Sequence, residues 1–226
     1  MILERISEKT ILQKLTPGKV VVLLGARRVG KTFLLKKILT FVKEKYIFWS
    51  GEDFAVHEIL KRRSVQNYKN IIADNILLVI DEAQKIPDIG SILKLIVDSF
   101  ANLKIIVSGS SAFDITNLTG EPLTGRKHQI LIFPFAEKEY SQIEKPEEQF
   151  DNMKERLIYG NMPELINLYN KNEKEEYLRE LINSYLLKDI LTFEKIKKSS
   201  KIFNLLKLIA YQVGNEVSLQ ELGSRL

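Results

Sequence analysis

KVVVLLGARRVGKT, residues Lys19–Thr32, is a β-branched apolar run that stops at a glycine and ends in Gly-Lys-Thr. The run Lys19–Leu24 reads as a buried strand. Thr32–Val42 follows, with Leu34, Leu35, Ile38, Leu39 and Val42 at helical spacing. Between strand and helix, Gly25-Ala26-Arg27-Arg28-Val29-Gly30-Lys31-Thr32 fits the P-loop pattern G-x-x-x-x-G-K-[ST] without departure. Glycines at both ends let the main chain curl so that its N–H groups face inward onto phosphate oxygens. The helix start adds a partial positive charge. Lys31 is expected to reach the β- and γ-phosphates, and Thr32 to give its hydroxyl to Mg²⁺. The cradle is therefore assigned to Gly25, Ala26, Arg27, Arg28, Val29, Gly30, Lys31, Thr32 and Phe33. Arg27 and Arg28 either brace phosphates or a neighbouring subunit, or are solvated loop residues, and the second reading is preferred.

Working outward, Tyr46–Trp49 suits a second strand and Ile76–Ile80 a third, apolar on both faces as a helix-covered parallel strand would be. Asp88 is placed to cap a helix whose stripe is Ile89, Ile92, Leu93, Ile96 and Phe100. Lys104–Val107 and His128–Phe133 read as the fourth and fifth strands. Strands alternating with helices predict a three-layer α/β domain built on a parallel sheet of about five strands. Beyond Tyr140 the pattern turns helical, with stripes over Tyr177–Leu191 and Lys201–Val213. Gly214 ends the latter, and Ser218 to Glu221 fits a capping box for one more helix. The expected division is an NTPase domain over 1–142, a helical lid-like region over 143–197 and a further helical segment over 198–226.

Ile76–Ile80 runs directly into Asp81-Glu82. In a parallel sheet, ligands sit at the carboxyl ends of the strands, which brings this pair beside the P-loop. Asp81 is expected to hold Mg²⁺, and Glu82 to orient or deprotonate the attacking water; the bland alternative is an acidic helix cap. Gln84 either bonds the same water or starts a helix. Ser110, in the Gly109-Ser110-Ser111 turn after the fourth strand, is the chosen γ-phosphate sensor, against a simple strand-ending turn. Asp53 reads as a helix cap. A guanine-reading N-K-x-D is absent from the sheet; Asn170-Lys171-Asn172-Glu173 lies beyond it and reads as coincidence. ATP is thus the preferred nucleotide. His57 and His128, the only histidines, lack neighbouring ligands for a metal.

The 226 residues carry 34 basic and 29 acidic side chains, a net +5 that fits a polyanion partner or solvated lysine-rich faces equally well. With no cysteine, disulfides and thiolate metal sites are excluded. Met1–Arg5 lacks a signal layout, and no apolar run nears the roughly 20 residues a membrane helix needs. A cytoplasmic location without membrane contact is the expectation.

In combination, GARRVGKT, ILLVIDEAQ, Gly109-Ser110-Ser111 and Leu123-Thr124-Gly125-Arg126 before HQILIFPF resemble a group of bacterial and archaeal AAA-like ATPases. Gly160-Asn161-Met162-Pro163-Glu164 is similar to a G-G-x-P-E element of that group, with Asn161 in place of the second glycine. The resemblance implies an AAA-like strand order with the P-loop strand central, a helical segment, then a winged helix. It also implies oligomers in which an arginine completes a neighbour's site; Arg126 is the candidate, a structural ion pair the alternative. The resemblance implies that 198–226 opens a winged helix leading on to a nuclease-like domain, with the third helix of the helix-turn-helix missing and the chain shortened; two ordinary lid helices with a capping box are the alternative. The expected function is Mg²⁺-dependent ATP hydrolysis driving a conformational cycle. The alternatives are a nucleotide-gated binding module with negligible turnover, and a DNA-associated regulator acting with a DNA or protein partner.

Overall fold

The computed structural model describes residues 3–110, 121–186 and 199–226. Ser111, and the 187–191 part of the helix expected from Tyr177, lie outside the described residues. The chain forms two compact units, Met1–Asn167 and Leu168–Leu226.

The first unit runs α1 (Ile6–Lys14), β1 (Val20–Gly25), α2 (Lys31–Phe41), β2 (Tyr46–Ser50), α3 (Phe54–Lys61), α4 (Val65–Ile72), β3 (Leu77–Asp81), α5 (Ile89–Ser99), β4 (Lys104–Ser110), β5 (Lys127–Leu131), α6 (Glu137–Tyr140) and α7 (Pro146–Tyr159). The five strands form one sheet in the order β2-β3-β4-β1-β5, and every pairing is parallel. The middle strand is β4; β1, the P-loop strand, is interior beside it. Successive residues of a strand face opposite sides, and here both sides are covered. Val20, Val22, Leu24, Leu78 and Ile80 pack with Val56, Leu60, Tyr68, Ile92 and Ile96 on one face. Val21, Leu23, Leu77 and Val79 pack with Ile11, Leu34, Leu35 and Ile38 on the other. This is why β1 and β3 are apolar without alternation. The result is a three-layer α/β fold of the P-loop NTPase type.

Several ends differ from the pattern-based reading. β3 takes in Asp81 and β4 extends to Ser110. Asp88 occupies the cap position of α5, but its left-handed backbone (φ 53°) turns the carboxylate away to Arg63, and no side-chain cap forms. Asp53 does cap, accepting from the Ala55 N–H at 2.8 Å. The charged stretch after Ile143 is helical from Pro146, which sits at the first turn where its missing N–H is harmless.

The second unit contains α8 (Lys171–Leu181), continued by a π-helical turn over Ile182–Leu186, then α9 (Ser199–Tyr211) and α10 (Leu219–Arg225). α8 starts six residues ahead of Tyr177, because the Asn170 side chain accepts from the Glu173 N–H at 2.8 Å and caps it. That capping role accounts for the stray Asn-Lys-x-Glu. Gly214 has φ +85°, suiting a helix end, and Ser218 caps α10 through the Glu221 N–H at 3.3 Å.

Candidate active site

The loop between β1 and α2 curls through two left-handed residues, Arg28 (φ 62°) and Gly30 (φ 93°). Alternation of hand along a short segment points successive N–H groups into one hollow. Val29 between them is buried and anchors the loop in the core. Gly25 is needed for space: a Cβ there would stand 2.3 Å from the Ile132 carbonyl oxygen. Lys31, only 4% exposed, folds its ammonium over the loop and donates to the carbonyls of Gly25 and Ala26, each at 3.0 Å. Burial pushes its pKa below the ordinary lysine value, while the carboxylates of Glu82 and Asp81 pull it back up.

β1 and β3 are separated in the sheet by β4, yet their ends meet. The Thr32 hydroxyl donates to Asp81 Oδ2 at 2.7 Å. Asp81 is 6% exposed, and its other oxygen accepts from the Ser108 hydroxyl. Ser108 in turn accepts from the Glu82 N–H at 3.0 Å. Glu82 is left-handed (φ 50°, ψ 41°), a conformation that costs a non-glycine residue about 1–2 kcal/mol. Its carboxylate accepts from the Gln84 side-chain amide at 2.6 Å. On the far side of β3, the Gly51 N–H donates to the Asp81 carbonyl at 2.7 Å.

Beside these groups opens a cavity of about 550 Å³, within the ~300–1,000 Å³ range of small-molecule sites. Gly30, Lys31, Thr32 and Glu82 line one part of it; Leu3, Phe33, Phe135, Pro163, Ile166 and Asn167 line much of the rest, with the charged Arg5, Arg28 and Glu164 among them. The Gly160–Glu164 element reaches the P-loop from the side, with Pro163 Cγ 3.9 Å from where a Gly30 Cβ would lie. Gly160 has φ +84°, whereas Asn161 keeps a negative φ and accepts from the Phe135 N–H at 2.9 Å, so the second position needs no glycine.

Ser110, partly exposed at the tip of β4, stands opposite Gly25 in register. Ser108, two residues earlier on the same strand face and fully buried, touches the acidic pair. Arg126 is not gathered into this site. Its carbonyl accepts from the Val20 N–H, which fixes it at the amino ends of the strands, and its side chain pairs with Asp98 at 2.6 Å. His57 Nε2 lies 2.7 Å from the Gly51 carbonyl.

Arg5 is a participant that no motif signalled. Its guanidinium reaches the Val29 carbonyl of the P-loop at 3.4 Å and the Phe133 carbonyl, pairs with Glu139 at 3.2 Å and stacks 4.5 Å over the Phe135 ring. Burial lowers its pKa, opposed by Glu139 and Glu8.

A family model described as an AAA domain (AAA_14) matches residues 17–141, more than half of the sequence. The chain belongs to this AAA domain family. A second model, a domain of unknown function (DUF8612), matches residues 150–226. The AAA domain chain is 28% identical to the uncharacterized protein MJ1544 of Methanocaldococcus jannaschii, over 98% of this chain and 53% of that protein. It is 24% identical to an uncharacterized protein of Haemophilus influenzae, over 98% of this chain and 59% of the relative. It therefore spans little more than half the length of these two relatives. Among solved structures it resembles the Walker-type ATPase PABY2304 of Pyrococcus abyssi, with TM-score 0.52 and 18% identity over 93% of this chain and 75% of that one. At that identity the likeness speaks to fold alone.

Proposed function

We propose that this AAA domain protein binds and hydrolyses ATP with Mg²⁺. The observation that carries the reading is the 2.7 Å bond between Thr32 and Asp81, with Glu82 adjacent and Lys31 buried alongside. A hydroxyl and a carboxylate are hard oxygen ligands of the kind Mg²⁺ takes while keeping waters and substrate phosphates in its shell. Among the described residues no cluster of three His, Cys, Asp or Glu exists that would hold a metal without such help. Thr32 and Asp81 would hold the ion, which on binding supplies charge neutralisation for the β- and γ-oxygens.

The loop N–H groups and Lys31 grip the phosphates, and the apolar stretch of cavity between Leu3, Phe135, Pro163 and Ile166 suits the flat faces of a purine. Glu82 orients a water in line with the γ-phosphorus. The water oxygen bonds to phosphorus as the bond to the β–γ bridging oxygen breaks, the water's proton passes to Glu82, and ADP leaves with the electron pair. Arg126, at the other end of the strands, cannot serve the phosphates of its own chain; as an arginine finger it would act on a neighbouring copy stacked head to tail. In this reading α9 and α10 belong to the start of a winged helix. No helix among the described residues is long and apolar enough to cross a membrane.

The test is phosphate release by the purified chain, alone and with duplex DNA or RNA. Glu82→Gln should lower kcat by ~10²–10⁴ while nucleotide affinity stays within a few-fold. Turnover of that variant at the wild-type rate removes Glu82 as the base. Stimulation by duplex DNA would extend the reading to a DNA-associated ATPase; release stopping at one equivalent per site would turn it into a nucleotide-gated switch.

A further inference from the structure

We propose that Gly51, just past the end of β2, and Ser108, on β4, are positioning residues that fix the backbone of Glu82 and so aim its carboxylate. The inference rests on the assignment of Glu82 as the base. Three observations carry it. First, the left-handed backbone of Glu82 is a conformation that a glutamate does not hold unaided. Second, its N–H is tied from the β4 side by Ser108, whose hydroxyl donates at the same time to Asp81. One buried hydroxyl therefore joins the metal-holding carboxylate to the base. Third, from the β2 side, Gly51 packs its backbone directly against the other peptide group of Glu82. A Cβ on Gly51 would stand 2.2 Å from the Glu82 carbonyl oxygen and 2.9 Å from its carbonyl carbon. Those are backbone atoms immediately past the end of β3 and have no side-chain freedom with which to yield.

Gly51 is itself held in place. Its N–H donates to the Asp81 carbonyl, and its own carbonyl lies 2.7 Å from His57 Nε2 on α3. Register explains the arrangement: Ser50 pairs with Asp81 and Ile80 with Val107, so Gly51, the residue after β2, meets the Glu82 peptide and the next residue of β4, Ser108, meets Asp81. The carboxylate of a base must be right to within a fraction of an ångström, and small displacements lower the rate steeply. A peptide plane clamped on both sides supplies that constraint ahead of substrate binding.

The experiment compares wild type, Ser108→Ala and Gly51→Ala by steady-state ATP hydrolysis, by affinity for a fluorescent ATP analogue, and by hydrogen exchange at the Glu82 amide. The expected result for each variant is a kcat lower by ~10–100-fold, an affinity within about threefold of wild type, and faster exchange at Glu82. Ser108→Ala removes only an oxygen, so it carries the test where Gly51→Ala does not fold. Unchanged kcat in folded Ser108→Ala overturns the proposal. So does a parallel loss of affinity and turnover, which marks general disruption of the site. Lack of turnover in wild type defeats the hydrolase reading instead, and there exchange at the Glu82 amide still decides whether the clamp exists.

Discussion

The two ends of the same five strands hold charge in opposite ways. At the carboxyl ends, Lys31, Asp81 and Ser108 are buried and bonded to main chain or to one another. At the amino ends, Lys104 pairs with Glu44, Lys45 with Asp74 and Arg126 with Asp98, all with side chains substantially in water. Solvated pairs of this kind contribute little to stability. Buried charges are expensive to keep and strongly missed when removed. The sheet concentrates its electrostatic commitment at the end where the phosphates would sit.

The sharpest way to break this contrast is to remove a lysine from each end. Lys31→Ala should weaken nucleotide binding by ~100-fold or more, since charge-assisted hydrogen bonds are worth about 1.5–3 kcal/mol each. Lys104→Ala should leave binding unchanged; equal effects in a titration would dissolve the distinction. Next in size is Arg5→Ala, which strands the buried Glu139 and should destabilise folding by about 3 kcal/mol, read from urea midpoints. Glu139 keeps the N–H groups of Ile6 and Ala136, so global unfolding at room temperature is not expected.

Proton linkage gives a smaller signal with a definite sign. The pKa of Lys31 is lowered from 10.5 in the free protein. Between that lowered value and 10.5 the unfolded chain binds more protons, so this group makes stability rise with pH across the window. Phosphates favour the ammonium, so ATP binding on the alkaline side should take up protons, measurable by calorimetry in buffers of differing ionisation enthalpy. Lys31→Arg, always charged, should abolish the uptake. Smallest of all, Arg126→Ala or Asp98→Asn should change stability by less than about 1 kcal/mol. A larger loss would show that the amino-end pairs carry more than their exposure implies.

Much of the site was legible because its parts are local. The glycines, Lys31 and Thr32 lie within eight residues, and Asp81-Glu82 ends a run whose apolar character on both faces already implied a covered parallel strand. What escaped the sequence depends on relations between strands. Ser108 and Ser110 share a strand face, and nothing in either strand alone says how deep the end of β3 reaches; the pairing of Ile80 with Val107 is what sets Ser108 beside Asp81. Gly51 looked like any glycine after a strand, since close backbone approach leaves no periodic trace. Arg5 carries no motif, and its four partners lie 24 to 134 residues away in sequence. Arg126 was put forward by family resemblance as a residue for a neighbour's site, a role that leaves no trace in its own strand; within the chain it pairs with Asp98 at the amino ends of the strands.

The Arg5 contacts bear on how the protein can be handled. Leu3 lines the candidate cavity, and Arg5 ties its segment through one guanidinium to the Val29 carbonyl of the P-loop, so an affinity tag or fluorescent reporter fused ahead of Leu3 joins the chain next to the proposed site. If the proposed site takes a nucleotide, labels attached there should both read out and perturb its occupancy, whereas a label near Lys104 should do neither.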